Sequence, residues 1–436
     1  MPFRSVPTAT SANPAWSGRC PTGSTTACGA GPPNGNGAGS CASVAGRRDR
    51  RPPFVVEVTS DRELLAVPSG VARGAGGTFE QLGLWPGVLA RLAAGRDLSA
   101  DEAAATLCEV LAGNATPSQI AAFIFGLRCK GETVEEMTGL VRAMLAAAET
   151  ITVAPELTGR LVDTCGTGGD RSGSINVSTI AALVLAGAGV PVCKHGGRAS
   201  SSRAGSADVL EALGVAIDLG PAGVRRCIEE VGIGFCFAPR YHPALRHAQA
   251  TRRELGVATA FNLLGPLANP ARLARQVVGV GDWTMATKVC GVLAANGATR
   301  VLVVYGSDGL DELTTTGPST IVEWRAGDDD NTGVRGGGPR GRMTTTVIDP
   351  SHYGLAPSTP GDLVGGDVAT NARLARAVLE AEIGPQRDIV LLNAAAGLMA
   401  AGMVEHLADG LVLAGAAVDD GRALAALEGL IDVSNA

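Results

Sequence analysis

From residue 82 to residue 149 the apolar positions recur at helical spacing. Leu84, Val88, Leu89 and Leu92 form one stripe. Ser99 stands where a cap belongs ahead of the next apolar run, which reaches Leu111 and is stopped by Gly113 and Asn114. Thr116 and Pro117 open a third helix running to Arg128, with Pro117 at a first-turn position where its missing N–H is no loss. Thr133, Val134, Glu135 and Glu136 open a fourth that reaches Ala148. Four short helices in succession predict a small helical bundle.

Past residue 160 the pattern changes. Short buried strands are expected at 161–163, 190–193, 234–237, 277–281 and 301–305. Helical stretches separate them at 178–187, 207–213, 221–231, 243–256 and 284–296, and helices resume at 370–381 and run on to the end. Strand–helix alternation predicts an α/β layer with a mostly parallel central sheet. The longest apolar stretch, 389–404, is interrupted by Asn393 and is shorter than the ~18–20 residues of a spanning helix.

Two stretches lack either periodicity. Residues 1–53 hold eight glycines, much Ser, Thr and Pro, and no Lys or Glu. They cannot bury enough apolar surface to offset their ordering entropy, so a disordered low-complexity tail is expected. Residues 327–341 are acidic and then glycine-rich, and read as a flexible insertion. The expected division is this tail, a helical domain at 80–150, and an α/β domain at 158–432.

Composition adjusts this picture little. Glycine makes up 60 of the 436 residues, and only three of the 36 basic residues are lysines: Lys130, Lys194 and Lys288. Preference for arginine over lysine reads as genomic bias, which makes a retained lysine worth locating. The net charge is −6; the tail carries six Arg and one Asp, leaving −11 for the rest, which argues against a nucleic-acid binder. The seven cysteines beyond the tail stand singly with no C-x-x-C pair, and no apolar leader opens the chain. Free thiols in a reducing cytoplasm are the expectation, with no membrane segment.

Three clusters carry chemistry. The run DTCGTGGD at 163–170 follows a strand, and its glycines let backbone N–H groups close on an anion. Asn176, Ser178 and Thr179 then open a helix, which aims hydroxyls and free amides at the same point. The spacing is not that of a dinucleotide fingerprint, because Arg171 stands at the third glycine position, nor that of a P-loop, because Cys193 precedes Lys194. The second cluster is KHGGRASSS at 194–202, a cation, hydroxyls and flexible backbone suited to a sugar phosphate. The third, DGLDELTTT at 308–316, offers adjacent carboxylates for Mg²⁺ held through water and substrate phosphates.

With FAPRYHP at 237–243 and TAFNLLGPLANP at 259–270, these clusters occur in an order that resembles the anthranilate phosphoribosyltransferase family over about residues 80–432. The resemblance implies a small helical domain beside a larger α/β domain of the nucleoside phosphorylase/phosphoribosyltransferase type, with the active site in the cleft between them and later helices returning to the helical domain. It implies transfer of a phosphoribosyl group from 5-phosphoribosyl 1-pyrophosphate to the amine of anthranilate, with Mg²⁺ required and a homodimer as the working form.

Carried over motif by motif, the phosphoribosyl pyrophosphate contacts fall on Gly166, Gly169, Asp170, Ser174, Asn176, Val177, Ser178 and Thr179 in the first loop. In the second they fall on Lys194, Gly196, Arg198, Ala199, Ser200, Ser201, Ser202 and Ser206. Anthranilate contacts fall on Gly166, His195, Gly197 and Arg252, and the metal positions on Ser178, Asp311 and Glu312. No side chain is assigned as general acid or base. One position departs: the family usually reads K-H-G-N-R, and this chain has Gly197 in place of the asparagine. Two alternatives follow, a pyrimidine nucleoside phosphorylase of the same superfamily, which usually carries K-T-S-S at the second cluster, and a non-catalytic phosphoribosyl-binding paralogue with an altered acceptor site.

Overall fold

The computed structural model describes residues 75–170, 172–199, 203–327 and 340–436. The tail at 1–53 and nearly all of the insertion at 327–341 lie outside the described residues.

The first helices are α1 (Ala75–Gln81), α2 (Leu84–Ala93), α3 (Ala100–Leu111), α4 (Pro117–Lys130) and α5 (Val134–Ala147). Three of them begin with reciprocal caps: Ser99 with Glu102, Thr116 with Gln119 and Thr133 with Glu136. In each, the cap oxygen accepts from an amide of the first turn while the third residue's side chain accepts from the cap amide, an arrangement worth about 0.5–2 kcal/mol per helix. Gly139 of α5 lies against the carbonyl of Ala100 so closely that a Cβ would collide with it, which is how α3 and α5 come into backbone contact.

Seven strands follow: β1 (Val162–Gly166), β2 (Val192–Gly196), β3 (Ile233–Phe237), β4 (Arg275–Gly279), β5 (Arg300–Gly306), β6 (Ser319–Ala326) and β7 (Gly341–Ile348). They form one sheet in the order β3-β2-β1-β4-β5-β6-β7. The first five are parallel, and β6 and β7 add an antiparallel edge that the sequence pattern did not mark. Pairing is uneven. β1 matches β4 residue for residue from Val162↔Arg275 to Gly166↔Gly279, whereas β1 and β2 pair only at Val162↔Val192.

The connecting helices are α6 (Val177–Gly187), α7 (Ser206–Ala212), α8 (Pro221–Val231), α9 (Ala238–Tyr241), α10 (Arg246–Leu255), α11 (Ala260–Leu267) and α12 (Ala286–Ala295). The helix expected at 243–256 is shorter, because Pro243 opens a separate 3₁₀ turn ahead of α10. Four more helices close the chain: α13 (Val368–Leu379), α14 (Pro385–Ala401), α15 (Leu407–Asp419) and α16 (Arg422–Asn435).

One apolar core runs from the bundle (Val88, Phe123, Leu140) through Phe261 and Val289 to one face of the sheet at Val278 and Val301. The other face is covered by α6, α14 and α16 through Val184, Ile389 and Leu427. Thus α10, α11 and α12 pack on the bundle while α13–α16 lie with the far layer. The apolar run at 389–404 is explained by the burial of α14, and among the described residues no helix is long and apolar enough to cross a membrane.

Candidate active site

Strand order reverses between β1 and β4, and open α/β sheets bind ligands beyond the carboxyl ends of their strands at such a point. A cleft of about 810 Å³ lies there, walled by the ends of β1 and β2, the starts of α6 and α7, and the loop after β5. It gathers most of the residues expected from sequence: Gly166, Gly169, Asp170, Ser174, Asn176, Val177, Ser178, Lys194, His195, Gly196, Gly197, Arg198, Ala199, Ser206, Asp311 and Glu312. Ser200, Ser201 and Ser202 lie outside the described residues. Thr179 and Arg252 are not on the cleft wall.

The glycine loop after β1 owes its shape to Gly166 and Gly169. A Cβ at Gly166 would strike the Asp311 carboxylate, so only glycine lets Asp311 rest on the end of β1. Gly169 has φ +87, in the left-handed region. The amide of Gly168 donates to Asp311 Oδ2 at 2.7 Å, and the amide of Ser178, in the first turn of α6, donates to Glu312 Oε1 at 3.2 Å. Two amides expected to face an anion are therefore tied to carboxylates that themselves face the cleft. The Ser178 hydroxyl has no partner among the described residues. Asn176 is engaged on both atoms, donating to Ala204 O at 3.1 Å and accepting from Asn371 Nδ2 at 2.9 Å. Ser174 pairs with Val364, which brings the loop before α13 to the cleft wall.

Lys194 is 1% exposed, and among the described residues its ammonium donates to a single acceptor, Thr164 O at 2.7 Å. An ammonium has three donors, so two remain available at the cleft. Its neighbour Gly196 packs against Ser206 and Phe235, where a Cβ would come within 3.0 Å and 3.1 Å. Arg198 differs from expectation. Its guanidinium bonds Asp208 at 2.9 Å and Glu211 at 2.7 Å and lies over Phe237, which ties the second loop to α7. The amide of Ala199 is likewise taken by Asp208 at 2.9 Å. Arg203, which the sequence reading passed over, is exposed on the cleft wall without an ion-pair partner among the described residues.

Among the residues expected to meet anthranilate, His195 Nδ1 donates to Gly265 O at 3.1 Å while its Nε2 is buried without a partner among the described residues. Burial first, then the nearby His242, pulls the His195 pKa down to about 3, and burial pulls His242 down to about 4. Both rings are neutral at pH 7, with centroids 5.2 Å apart. Gly197 borders open space: nothing lies within 4 Å of the position a Cβ would take. Arg252 sits half-buried on α10 with its guanidinium over Phe261 and no carboxylate partner among the described residues. His247, left open by the sequence, packs its ring on Gly113.

Asp311 and Glu312 are each 9% exposed. Burial and then the charge of Asp170 push Asp311 up from the usual carboxylate range, and burial followed by Asp311 pushes Glu312 well up. Hard oxygen donors carrying more negative charge than the chain neutralises fit a divalent cation. No group of three or more His, Cys, Asp or Glu is arranged as a cage among the described residues. That suits Mg²⁺, which takes one or two carboxylates and completes its shell with substrate phosphates. Behind this pair stands Asn393, the polar interruption of the apolar run. Buried in α14, it accepts from Leu313 N at 2.9 Å and donates to Leu313 O at 2.8 Å, which fixes the residue after Glu312. A lone amide in the apolar run at 389–404 was the signal for it.

Residues 158–424 match the glycosyl transferase family, a/b domain, and residues 86–148 match the glycosyl transferase family, helical bundle domain. An anthranilate phosphoribosyltransferase of Saccharopolyspora erythraea is 51% identical over 318 residues, 73% of this chain and 85% of the relative. One of Thermomicrobium roseum is 50% identical over 349 residues, 80% of this chain and 97% of the relative. The fold is similar to the crystal structure of anthranilate phosphoribosyltransferase from Thermus thermophilus, with a TM-score of 0.71 and 39% identity over 80% of this chain and 99% of that one. It is also similar to the Saccharomyces cerevisiae enzyme in complex with PRPP and Mg, with a TM-score of 0.70 and 25% identity over 80% and 98% of the two chains. The helical and α/β segments match in order and about half the residues are shared over most of the chain, so this chain belongs to the glycosyl transferase family and, within it, to the anthranilate phosphoribosyltransferases.

Proposed function

We infer that the protein transfers the phosphoribosyl group of 5-phosphoribosyl 1-pyrophosphate to the amine of anthranilate, releasing pyrophosphate, as a step of tryptophan biosynthesis. The observation that carries this reading is the charge pattern of one cleft: a buried lysine with two spare donors beside buried carboxylates whose charge the chain does not neutralise. A substrate bearing both phosphates and Mg²⁺ completes both.

Lys194, the amide of Gly169 and Arg203 bind phosphate oxygens, with Asp170, Ser174, Asn176, Val177, Gly196, Ala199 and Ser206 shaping the walls. Ser178, Asp311 and Glu312 hold the metal; bound there, Mg²⁺ supplies positive charge at the pyrophosphate oxygens. As the bond from C1 to pyrophosphate breaks, the donors of Lys194 meet the negative charge that develops on the leaving group. Gly166, His195 and Gly197 border the acceptor, and His195, held neutral, offers Nε2 as a hydrogen-bond acceptor. Arg252 enters the proposal on its unpaired charge, which suits the carboxylate of anthranilate. Arg198, bonded to Asp208 and Glu211, acts by bracing the second loop against α7. Holding donor and acceptor in register supplies catalysis without a dedicated general base.

The reading includes a homodimer, supported by exposed Leu84 and Phe125 on the contacting helices α2 and α4, and a reducing cytoplasm, supported by seven free cysteines among the described residues. Incubation with 5-phosphoribosyl 1-pyrophosphate, Mg²⁺ and a set of aminobenzoates tests the function. Pyrophosphate release that requires anthranilate is the expected result. Release with no aminobenzoate tested, or phosphorolysis of a pyrimidine nucleoside instead, would overturn it.

A further inference from the structure

Beneath the cleft lies a carboxylate with no part in the scheme above. Asp163 of β1 is fully buried, and it accepts from the His195 amide on Oδ1 at 3.3 Å and from Asn269 Nδ2 on Oδ2 at 3.0 Å. Asn269, 3% exposed in the turn after α11, uses its whole carboxamide: Nδ2 also donates to Cys193 O at 2.8 Å, and Oδ1 accepts from Ala271 N at 3.0 Å.

The two backbone atoms these side chains hold, Cys193 O and His195 N–H, flank Lys194 on either side. They belong to the part of β2 where pairing with β1 has stopped, since the two strands match only at Val162↔Val192. Side chains have taken over hydrogen bonds that a continuous parallel ladder would make between backbones. The same short stretch of β1 also receives the Lys194 ammonium, through Thr164 O, and the buried charge of Asp163 attracts that ammonium. A buried carboxylate is costly unless it is paired and hydrogen-bonded, and here its partners are the His195 amide, the Asn269 carboxamide and the charge of Lys194.

We propose that Asp163 and Asn269 are positioning residues, a carboxylate–carboxamide wedge in the split between β1 and β2 that sets the place of Lys194 for the phosphates of the substrate. The proposal rests on the phosphoribosyl reading above. Neither side chain lines the cleft, so the pair acts through Lys194 and the end of β2.

The test uses the full chain, D163N, N269D and the double variant D163N/N269D. D163N keeps shape and an oxygen for the His195 amide but sets amide against amide and withdraws the charge from Lys194. N269D sets two carboxylates face to face. Each single variant is expected to lose at least tenfold in calorimetric affinity for 5-phosphoribosyl 1-pyrophosphate and in kcat/KM for it, while the KM for anthranilate stays within twofold. The double variant restores one carboxylate opposite one amide but not the donor to Cys193 O, so it recovers only part of the N269D loss. Affinity within twofold of wild type in both single variants overturns the proposal. So does a loss that only follows the fraction of folded protein. A wild type that binds the pyrophosphate substrate but consumes no anthranilate would fail the functional reading alone, because the affinities still compare the variants.

Discussion

Lys130 in the helical bundle, its side chain 5% exposed, and Lys194 in the cleft are two of the three lysines of the chain, and they are finished differently. Lys130 donates to Asp97 at 2.7 Å, to Gly131 O at 2.8 Å and to Glu136 at 2.9 Å, which uses all three of its donors. Lys194 donates once among the described residues. Around Lys130 the polar groups close on one another: Glu136, wholly buried, also accepts from the amides of Leu98 and Thr133. Around Lys194 they do not, for Asp311 and Glu312 repel each other and His195 Nε2 lacks a partner. A buried polar group that is satisfied from within holds a fold together, and one left short marks where something from outside is expected.

The sharpest break of that contrast is a pair of substitutions. Lys194→Ala should lower kcat/KM for the pyrophosphate substrate on the order of 10²–10³-fold per folded site, the scale of losing one preorganised donor to a developing anion. Lys130→Ala should do the reverse. It strands buried Glu136 and should destabilise the protein by about 3 kcal/mol, the low end for a broken buried pair because Glu136 keeps its amide donors. Its kcat per folded site should stay within twofold of wild type. Swapped outcomes would erase the distinction.

Stability against pH gives the next effect. Asp311 and Glu312 have raised pKa values, so above the unfolded carboxylate range the folded state holds more protons than the unfolded one. Their contribution is complete at low pH and is lost as pH rises through the folded values. The depressed His195 and His242 act the other way, with stability lost as pH falls from 6.5 towards about 4 and 3, and Asp163, pushed up to about 6, partly offsets them there. Between pH 6.5 and 8 the cleft carboxylates dominate. Unfolding by urea without Mg²⁺ should show stability falling with pH, by up to ~1.4 kcal/mol per pH unit for each proton involved. Glu312→Gln should flatten that slope, and no change at Lys130 should. The smallest effect belongs to the bundle: Ser99→Ala removes one cap and should cost about 1 kcal/mol with unchanged turnover.

Much of this was legible in the sequence, and the reasons are local. The caps at Ser99, Thr116 and Thr133 are fixed by residues three apart, so the bundle could be read off them. The cleft loops declared themselves because each follows a strand and groups its chemistry within ten residues. What escaped depends on rotation and on distant partners. Thr179 is one residue past Ser178, and the ~100° turn per residue carries it from the cleft side into the core, where its hydroxyl is buried without a partner. A motif placed Arg252 on a helix but could not say which face, and the structure puts its guanidinium on Phe261. The second motif placed Arg198 at the cleft, where it lies, but its ties to Asp208 and Glu211 of α7 were not legible. The helix α11 was missed because Pro266 stands inside it, and the antiparallel edge β6–β7 because no cluster of chemistry follows it. Asn393 and Asn269 were visible only as polar residues in apolar surroundings; their partners lie 80 and 106 residues away.

A cleft completed by substrate and metal should release protons on binding, and counting them is the direct measure. Calorimetric titration of 5-phosphoribosyl 1-pyrophosphate with Mg²⁺ at pH 7, in buffers of differing ionisation enthalpy, counts the protons expelled. Carboxylates that hold protons in the free protein must give them up when a cation arrives. Wild type should release measurably more protons than Glu312→Gln under the same conditions, and the excess should shrink as the pH is raised. Equal release from the two proteins, with binding intact, would contradict the account.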